Sequence, residues 1–139
     1  MKKKKFLITC SVFLIVIFSS VYVYASTLSI SGKSDNGMWK YTYKKNIDPS
    51  EPTGWQGKLK QLDKQKVEVK ELTFTDNDEI LAQTDSFVEG TDIDGSVTTL
   101  HPFATEFYLG NSPERGHIYK MTVKWQKEGE TYEDTFTIH

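Results

Sequence analysis

Two aspartates in the stretch DIDGS, Asp92 and Asp94, have the residue type and the spacing that a calcium-binding loop uses. Carboxylates two residues apart before a glycine can direct several oxygens to one cation. The match covers only part of such a loop, because Gly90 stands where the first ligand belongs and no glutamate follows at the far end. Asp94-Gly95 is also a strong hairpin-turn signal. We therefore interpret the stretch as a turn, keep Asp92 and Asp94 as weak metal candidates, and expect no cofactor.

The residue pattern gives little support for catalysis. The chain has one cysteine, Cys10, and no Gly-x-Ser-x-Gly motif. Its three histidines, His101, His117 and His139, are not spaced as metal ligands. Acidic residues are plentiful, so paired carboxylates of the kind that hydrolyse glycosides stay an alternative. We expect no catalytic residues and a protein that is not an enzyme, with a hydrolase as the alternative.

Seven aromatic side chains could instead form a platform for a sugar ring or a peptide. They are Trp39, Tyr41, Tyr43, Trp55, Tyr119, Trp125 and Tyr132. Most share a strand face with aliphatic residues, which favours packing in a core. In the segment GWQG, Trp55 shares its face with Gly57 and Leu59. We therefore expect Trp55 to be buried and Gly57 to leave space for a neighbouring ring.

The first 25 residues have the organisation of an export signal. Four lysines, residues 2–5, precede an uncharged run from Phe6 to Ala25. A basic start, an apolar core and small residues at the end are typical of a signal peptide, which favours cleavage between Ala25 and Ser26. An uncleaved anchor is the alternative, because an apolar run of this length can span a bilayer as a helix. Both interpretations place residues 26–139 outside the cytoplasmic membrane, secreted or anchored to its outer face.

The exported part of the chain is acidic and has no cysteine. Cys10 lies inside the apolar run, too near the lysines for lipidation to be expected. Residues 26–139 contain 13 basic and 19 acidic residues, a formal charge of −6. This balance argues against binding to nucleic acid and to anionic surfaces, so the membrane is a partner only through residues 6–25 if these are uncleaved.

Short β-type segments separated by turns fill residues 38–139. The segment MWKYTYKK alternates aromatic and polar residues, as a half-buried strand does. We recognise about seven such segments at intervals of roughly 8–12 residues, with no long amphipathic helix. The pattern predicts an all-β domain, an antiparallel immunoglobulin-like sandwich without the disulfide of antibody domains. Residues 26–37 are rich in Ser and Gly and are predicted to be a linker, with a first edge strand within 27–31.

Two positions break the alternation of apolar residues. Val69 has one strand phase and Leu72 the opposite one, which predicts a β-bulge near residues 70–71 or two strand halves that serve different faces. Asp134 shares the inward phase of Phe136. We therefore expect Asp134 to lie near an edge or to be paired.

The lysine-led N-terminus, the segments SDNGMWKYTY and GWQGKL, and the closing KMTVKWQKEGETYEDTFTI resemble small exported β-sandwich proteins of Bacillus-type Gram-positive bacteria. These are uncharacterised lipoprotein-like or anchored domains, and this chain departs from the lipoproteins because it lacks a usable lipobox cysteine. The resemblance implies an envelope location and a β-sandwich but no catalytic residue. We expect a binding or structural role at the cell envelope, with a cell-wall polymer or another envelope protein as partner. A glycan- or peptide-binding module and a calcium-dependent adhesion domain are the alternatives.

Overall fold

The computed structural model of the chain describes residue 8, residues 10–20 and residues 29–139. Residues 10–20 form a helix whose side chains are exposed. Within the described part of the chain, no helix is long and apolar enough to cross a membrane. The cleavage position between Ala25 and Ser26 lies outside the described residues, so export and cleavage stay predictions.

Ten strands in residues 29–139 pair into two antiparallel sheets. The strands are β1 (Ser29–Lys33), β2 (Trp39–Asn46), β3 (Gly54–Gln61), β4 (Glu68–Asp76), β5 (Glu79–Thr84), β6 (Gly90–Thr91), β7 (Val97–Leu100), β8 (Phe103–Leu109), β9 (Tyr119–Lys127) and β10 (Glu130–Ile138). One sheet has the strand order β1-β2-β3-β8-β7-β6, and the other has the order β10-β9-β4-β5. The prediction of a mostly antiparallel β domain is therefore confirmed.

The strand count differs from the sequence-based prediction of about seven. Strand β1 overlaps the edge strand predicted within residues 27–31 of the linker stretch, and only its Ile30 packs against the core. Strand β6 has two residues, and β7 has four. Strands this short contain too few alternating residues to produce a recognisable period, so the pattern undercounts them.

One side of the two-sheet structure is closed and the other is open. On the closed side, Ser31 of β1 and His139, which follows β10, exchange two backbone hydrogen bonds with N···O distances of 2.7 and 3.0 Å. Gly32 approaches the carbonyl oxygen of Thr137 there so closely that a Cβ would collide with it. On the opposite side, β5 ends one sheet and β6 ends the other, and residues 85–89 cross between them.

The core between the sheets is built from aromatic rings. The Tyr41 and Tyr43 rings of β2 lie 5.0 and 5.3 Å from the Phe74 ring of β4 in the other sheet. Of the seven aromatic residues predicted to pack in the core, six are buried. The exception is Tyr132, which is 40% exposed and stacks on the Trp125 ring at 4.4 Å.

The predicted bulge is also present. The register of β4 against β9 shifts between Val69 and Glu71, which leaves Lys70 outside the ladder. Val69 and Leu72 can therefore both face the core, with exposures of 8% and 2%. The inserted residue restores the inward phase that the sequence shows as broken.

Gly57 is the position where the aromatic core is most tightly fitted. Trp55 is buried, as predicted, and a Cβ added at Gly57 would collide with the hydroxyl of Tyr41 and lie 2.7 Å from Cε2 of Phe107. The Tyr41 hydroxyl is buried and has no hydrogen-bond partner among the described residues, and burial, together with the neighbouring Tyr43, raises the pKa of Tyr41. Gly57 therefore provides the space that lets this ring lie flat against β3.

Asp134 is paired, and its partners come from both sheets. Its Oδ2 accepts hydrogen bonds from the indole Nε1 of Trp39 on β2 at 3.0 Å and from that of Trp125 on β9 at 2.8 Å. Nδ2 of Asn36 donates to both carboxylate oxygens at 2.9 and 3.0 Å. Oδ1 of Asn36 accepts a hydrogen bond from the backbone N–H of Met38. The Asn36 side chain therefore links Asp134 to the β1–β2 turn.

We expect Gly57→Ala to lower the free energy of unfolding by about 1–3 kcal/mol, because an overpacked core must displace a ring. Adding Tyr41→Phe removes the nearest colliding atom and also an unsatisfied buried hydroxyl. The double variant should therefore be more stable than Gly57→Ala alone. Urea unfolding of the original protein and of both variants measures the two differences.

Gly110→Ala is the matched control, because a Cβ at Gly110 meets no atom within 4 Å. Its effect should stay within about 0.5 kcal/mol. Equal losses for the variants at Gly57 and Gly110 would contradict the close fit at Gly57.

We expect Asp134→Ala to lower the free energy of unfolding by about 2–6 kcal/mol, because each of two buried indole N–H groups left without an acceptor costs about 1–3 kcal/mol. Glu133→Ala on the exposed face of the same strand is the control. Urea unfolding that gave the same loss for both variants would show that the carboxylate does not join the sheets.

Candidate functional site

The main concave site lies on the open side of the two sheets. It is a cleft of about 460 Å³ between the segment 85–89, the β6–β7 hairpin and strand β8. Its lining residues are Thr84, Ser86, Phe87, Val88, Glu89, Gly90, Thr91, Asp92, Asp94, Ser96, Thr98, Thr105, Glu106 and Phe107. The cleft is formed where β7 leaves β8, since β7 pairs with β8 only at residues 103–104.

The cleft is acidic and rich in hydroxyl groups. Among the described residues that line it, four carry carboxylates, six carry hydroxyls, and none is Lys or Arg. Oε1 of Glu106 forms an ion pair with Lys58, and its Oε2 lies 3.4 Å from Nε2 of Gln56. The pKa of nearby Tyr108 is raised by burial first and then by the charges of Glu51, Glu106 and Asp94. Two carboxylates of the cleft, those of Glu106 and Asp94, are therefore near enough to Tyr108 to affect its pKa.

The hairpin that contains the two candidate metal ligands forms one wall of the cleft. Asp94 Oδ1 accepts hydrogen bonds from the Ser96 backbone N–H at 2.9 Å and from its hydroxyl at 2.6 Å. These bonds lower the pKa of Asp94. Asp92 Oδ1 accepts from the N–H of Ile93 at 2.7 Å, and the N–H of Gly95 donates to the Asp92 carbonyl at 3.0 Å. The turn predicted from Asp94-Gly95 is present, and the carboxylates are engaged in forming it.

The other residues considered for chemistry do not meet at this cleft. His101 lies in the β7–β8 turn, where the His101–Pro102 peptide is cis, and His139 follows β10. Nδ1 of His117 lies 2.7 Å from Oδ1 of Asp76, an interaction that raises the pKa of His117. Among the described residues, no group of three or more His, Cys, Asp or Glu side chains is arranged to hold a metal ion.

A small apolar cavity adjoins the cleft. It has a volume of about 130 Å³ and lies between the inner face of β5 and the Phe107 ring. Its lining residues are Leu72, Phe74, Ala82, Gln83, Thr84 and Phe107. The cavity and the cleft share Thr84 and Phe107, so together they form one continuous surface.

The segment 85–89 is anchored above this region by one ring. Phe87 packs edge-on against Phe103 of β8, with centroids 5.2 Å apart and planes at 87°. Its neighbour Val88 is 79% exposed. The segment therefore covers the core through Phe87 while the rest of it faces solvent and borders the cleft.

The turn predicted at Asp92 and Asp94 is present, but the sequence pattern did not indicate that Glu89, Glu106 and Phe107 line the same cleft. Alternation along β8 was the available signal, because it puts Glu106 on the face opposite Phe103 and Thr105. That signal gives a side of the sheet and does not show which other strands leave room beside it.

A search of protein-family models, curated proteins and solved structures finds no match to this chain.

Proposed function

We propose that this chain is an exported cell-envelope protein whose β domain is a non-enzymatic binding module for a cationic ligand. The observation that carries the proposal is the acidic cleft on the open side of the sheets, whose described lining has four carboxylates, one of them paired with Lys58, and no Lys or Arg. Such a surface attracts positive charge, and its hydroxyl groups offer further hydrogen bonds. A cell-wall peptide or another envelope protein with exposed Lys or Arg side chains has this chemistry.

The location in this proposal rests on the N-terminus. Lys2 to Lys5 precede the uncharged run at residues 6–25, and exposed apolar side chains cover the described helix within it, residues 10–20. A basic start followed by an apolar run directs a chain to export. We propose cleavage between Ala25 and Ser26, with retention as an anchor as the alternative.

We propose further that the domain is an immunoglobulin-like sandwich. The order β2-β3-β8-β7 supports this, because it reproduces the A-B-E-D sheet of that fold. The order β10-β9-β4-β5 corresponds to G-F-C with the added strand C′. In this correspondence β1 and β6 are additions, and the open side lies between the strands equivalent to C′ and D.

The location is tested by the N-terminus of the native protein. We expect mass spectrometry of protein from a Gram-positive host to find a chain that begins at Ser26 in the culture medium. A chain with an intact N-terminus in the membrane fraction would show that residues 6–25 are an uncleaved anchor and that the protein is not secreted. Recovery of the intact chain only from the cytoplasm would contradict export.

Binding is tested with residues 26–139, since all buried core residues lie within 38–138 and the described helical residues are exposed. We expect a fluorescent penta-lysine peptide to bind and penta-glutamate not to bind. The double variant Glu89→Gln with Asp92→Asn should weaken penta-lysine binding roughly tenfold, a loss of about 1.4 kcal/mol. Fluorescence anisotropy at several salt concentrations measures the affinity.

The double variant Glu133→Gln with Asp35→Asn is the matched control. It removes the same two charges from exposed positions outside the cleft. If both variants weaken binding equally, the peptide is attracted by the net charge of the whole domain, and the cleft is not a binding site.

A further inference from the structure

Strand β5 has a free edge beside the cleft. It pairs with β4 on one side, and within the described residues no strand pairs with its other side. Such an edge presents unpaired backbone N–H and C=O groups that can accept another strand. Charged side chains, Pro and β-bulges protect such edges, and β5, with the sequence EILAQT, has Glu79 at its start but no Lys or Pro.

The part of β5 that borders the cavity is regular. A register shift lies between Phe74 and Thr75 of β4, and it places Leu81 outside the ladder. From Ala82 to Thr84 the pairing with β4 is continuous. The regular part of the edge is therefore the part that carries the small inward side chains Ala82 and Thr84.

Those small side chains leave the apolar cavity of about 130 Å³ unfilled at the margin of the core. An apolar cavity of about 150 Å³ in another protein is large enough to bind benzene, so this volume suits one apolar side chain. The opposite wall is Phe107 of β8. Among the described strands, β3 alone pairs with residues 105–109 of β8.

We propose that the open side is a strand-addition site for an extended polypeptide that carries a basic and an apolar residue. Its backbone pairs with the free edge of β5, its apolar side chain fills the cavity, and its Lys or Arg side chain enters the acidic cleft. Backbone pairing supplies affinity in this mode of recognition, and pockets for alternate side chains supply specificity. Binding of the Lys or Arg side chain in the cleft rests on the proposed function.

The arrangement also sets the spacing within the peptide. Alternate residues of a strand point to the same face, about 7 Å apart. The cavity and the cleft meet at Thr84 and Phe107. The basic and apolar residues of the peptide are therefore two positions apart.

The probe is the acetylated and amidated peptide Thr-Lys-Thr-Leu-Thr-Val-Thr, titrated into ¹⁵N-labelled residues 26–139. We expect chemical-shift changes at residues 79–84 and 105–107, and slower hydrogen exchange of β5 amides in the complex. Replacing the leucine of the peptide by aspartate should weaken binding roughly tenfold, or about 1.4 kcal/mol. N-methylation of one alternate set of peptide nitrogens should abolish binding, and methylation of the other set should not, because only alternate N–H groups face a neighbouring strand.

Two protein variants complete the test. Ala82→Leu fills the cavity and should lower the affinity for the seven-residue peptide. The affinity for penta-lysine should stay unchanged. Thr73→Leu adds an apolar side chain to the outer face of β4, away from the cavity, and should change neither. The spectrum of each variant shows whether it is folded. If Ala82→Leu does not fold, the peptide variants still test the cavity.

Three outcomes would overturn the strand-addition site. The first is penta-lysine binding at the cleft without binding of the seven-residue peptide, which leaves the proposed function intact. The second is peptide binding that tolerates both N-methylated sets. The third is a dimer that protects the β5 amides without peptide, which would make a second copy the occupant. Failure of penta-lysine to bind the cleft contradicts the proposed function itself.

Discussion

The carboxylate of Asp134 is the contact on which one end of this molecule depends. It lies on β10, yet it accepts hydrogen bonds from the indole of Trp39 in the facing sheet and from that of Trp125 on the adjacent strand. Both indoles are almost fully buried, at 0% and 7% exposure. A buried indole N–H that finds no hydrogen-bond acceptor destabilises the fold. Burying two of them therefore requires an acceptor at this position. Because Asn36 binds the same carboxylate, the β1–β2 turn is held as well.

The aromatic core places a second constraint on the domain. Rings from β2 pack on Phe74 of the opposite sheet, and one of them, Tyr41, extends over Gly57. Within the described part of the chain its buried hydroxyl meets no hydrogen-bond partner, whereas the hydroxyl of Tyr43 donates to the carbonyl of Asn111. Burial, with a smaller effect of Tyr119, raises the pKa of Tyr43 to about 12. Large rings fill the centre so completely that the unfilled space lies at the margin, beside Ala82 and Thr84.

Closure of one side and opening of the other follow from these constraints. The backbone bonds between Ser31 and His139 close the side formed by β1 and β10. On the other side no such pairing joins β5 to the six-stranded sheet within residues 29–139, and Phe87 anchors the crossing segment instead. A single ring covers less of the core than a strand does. The acidic cleft and the apolar cavity therefore occupy the side on which we place ligand binding.

The local features of the domain can be read from the order of the residues. Alternation identified the long strands and the inward side of Trp39 and Trp55, and the phase break at 70–71 located the bulge. Each of these depends on neighbours a few residues apart, which a single segment contains. The tertiary structure alone decided that Asp134 meets Trp39, that Tyr41 requires Gly57, and that Glu106 borders the same cleft as Asp92. These contacts join strands that are far apart in the chain, and their geometry follows from which strands pair and from where the two sheets fail to meet.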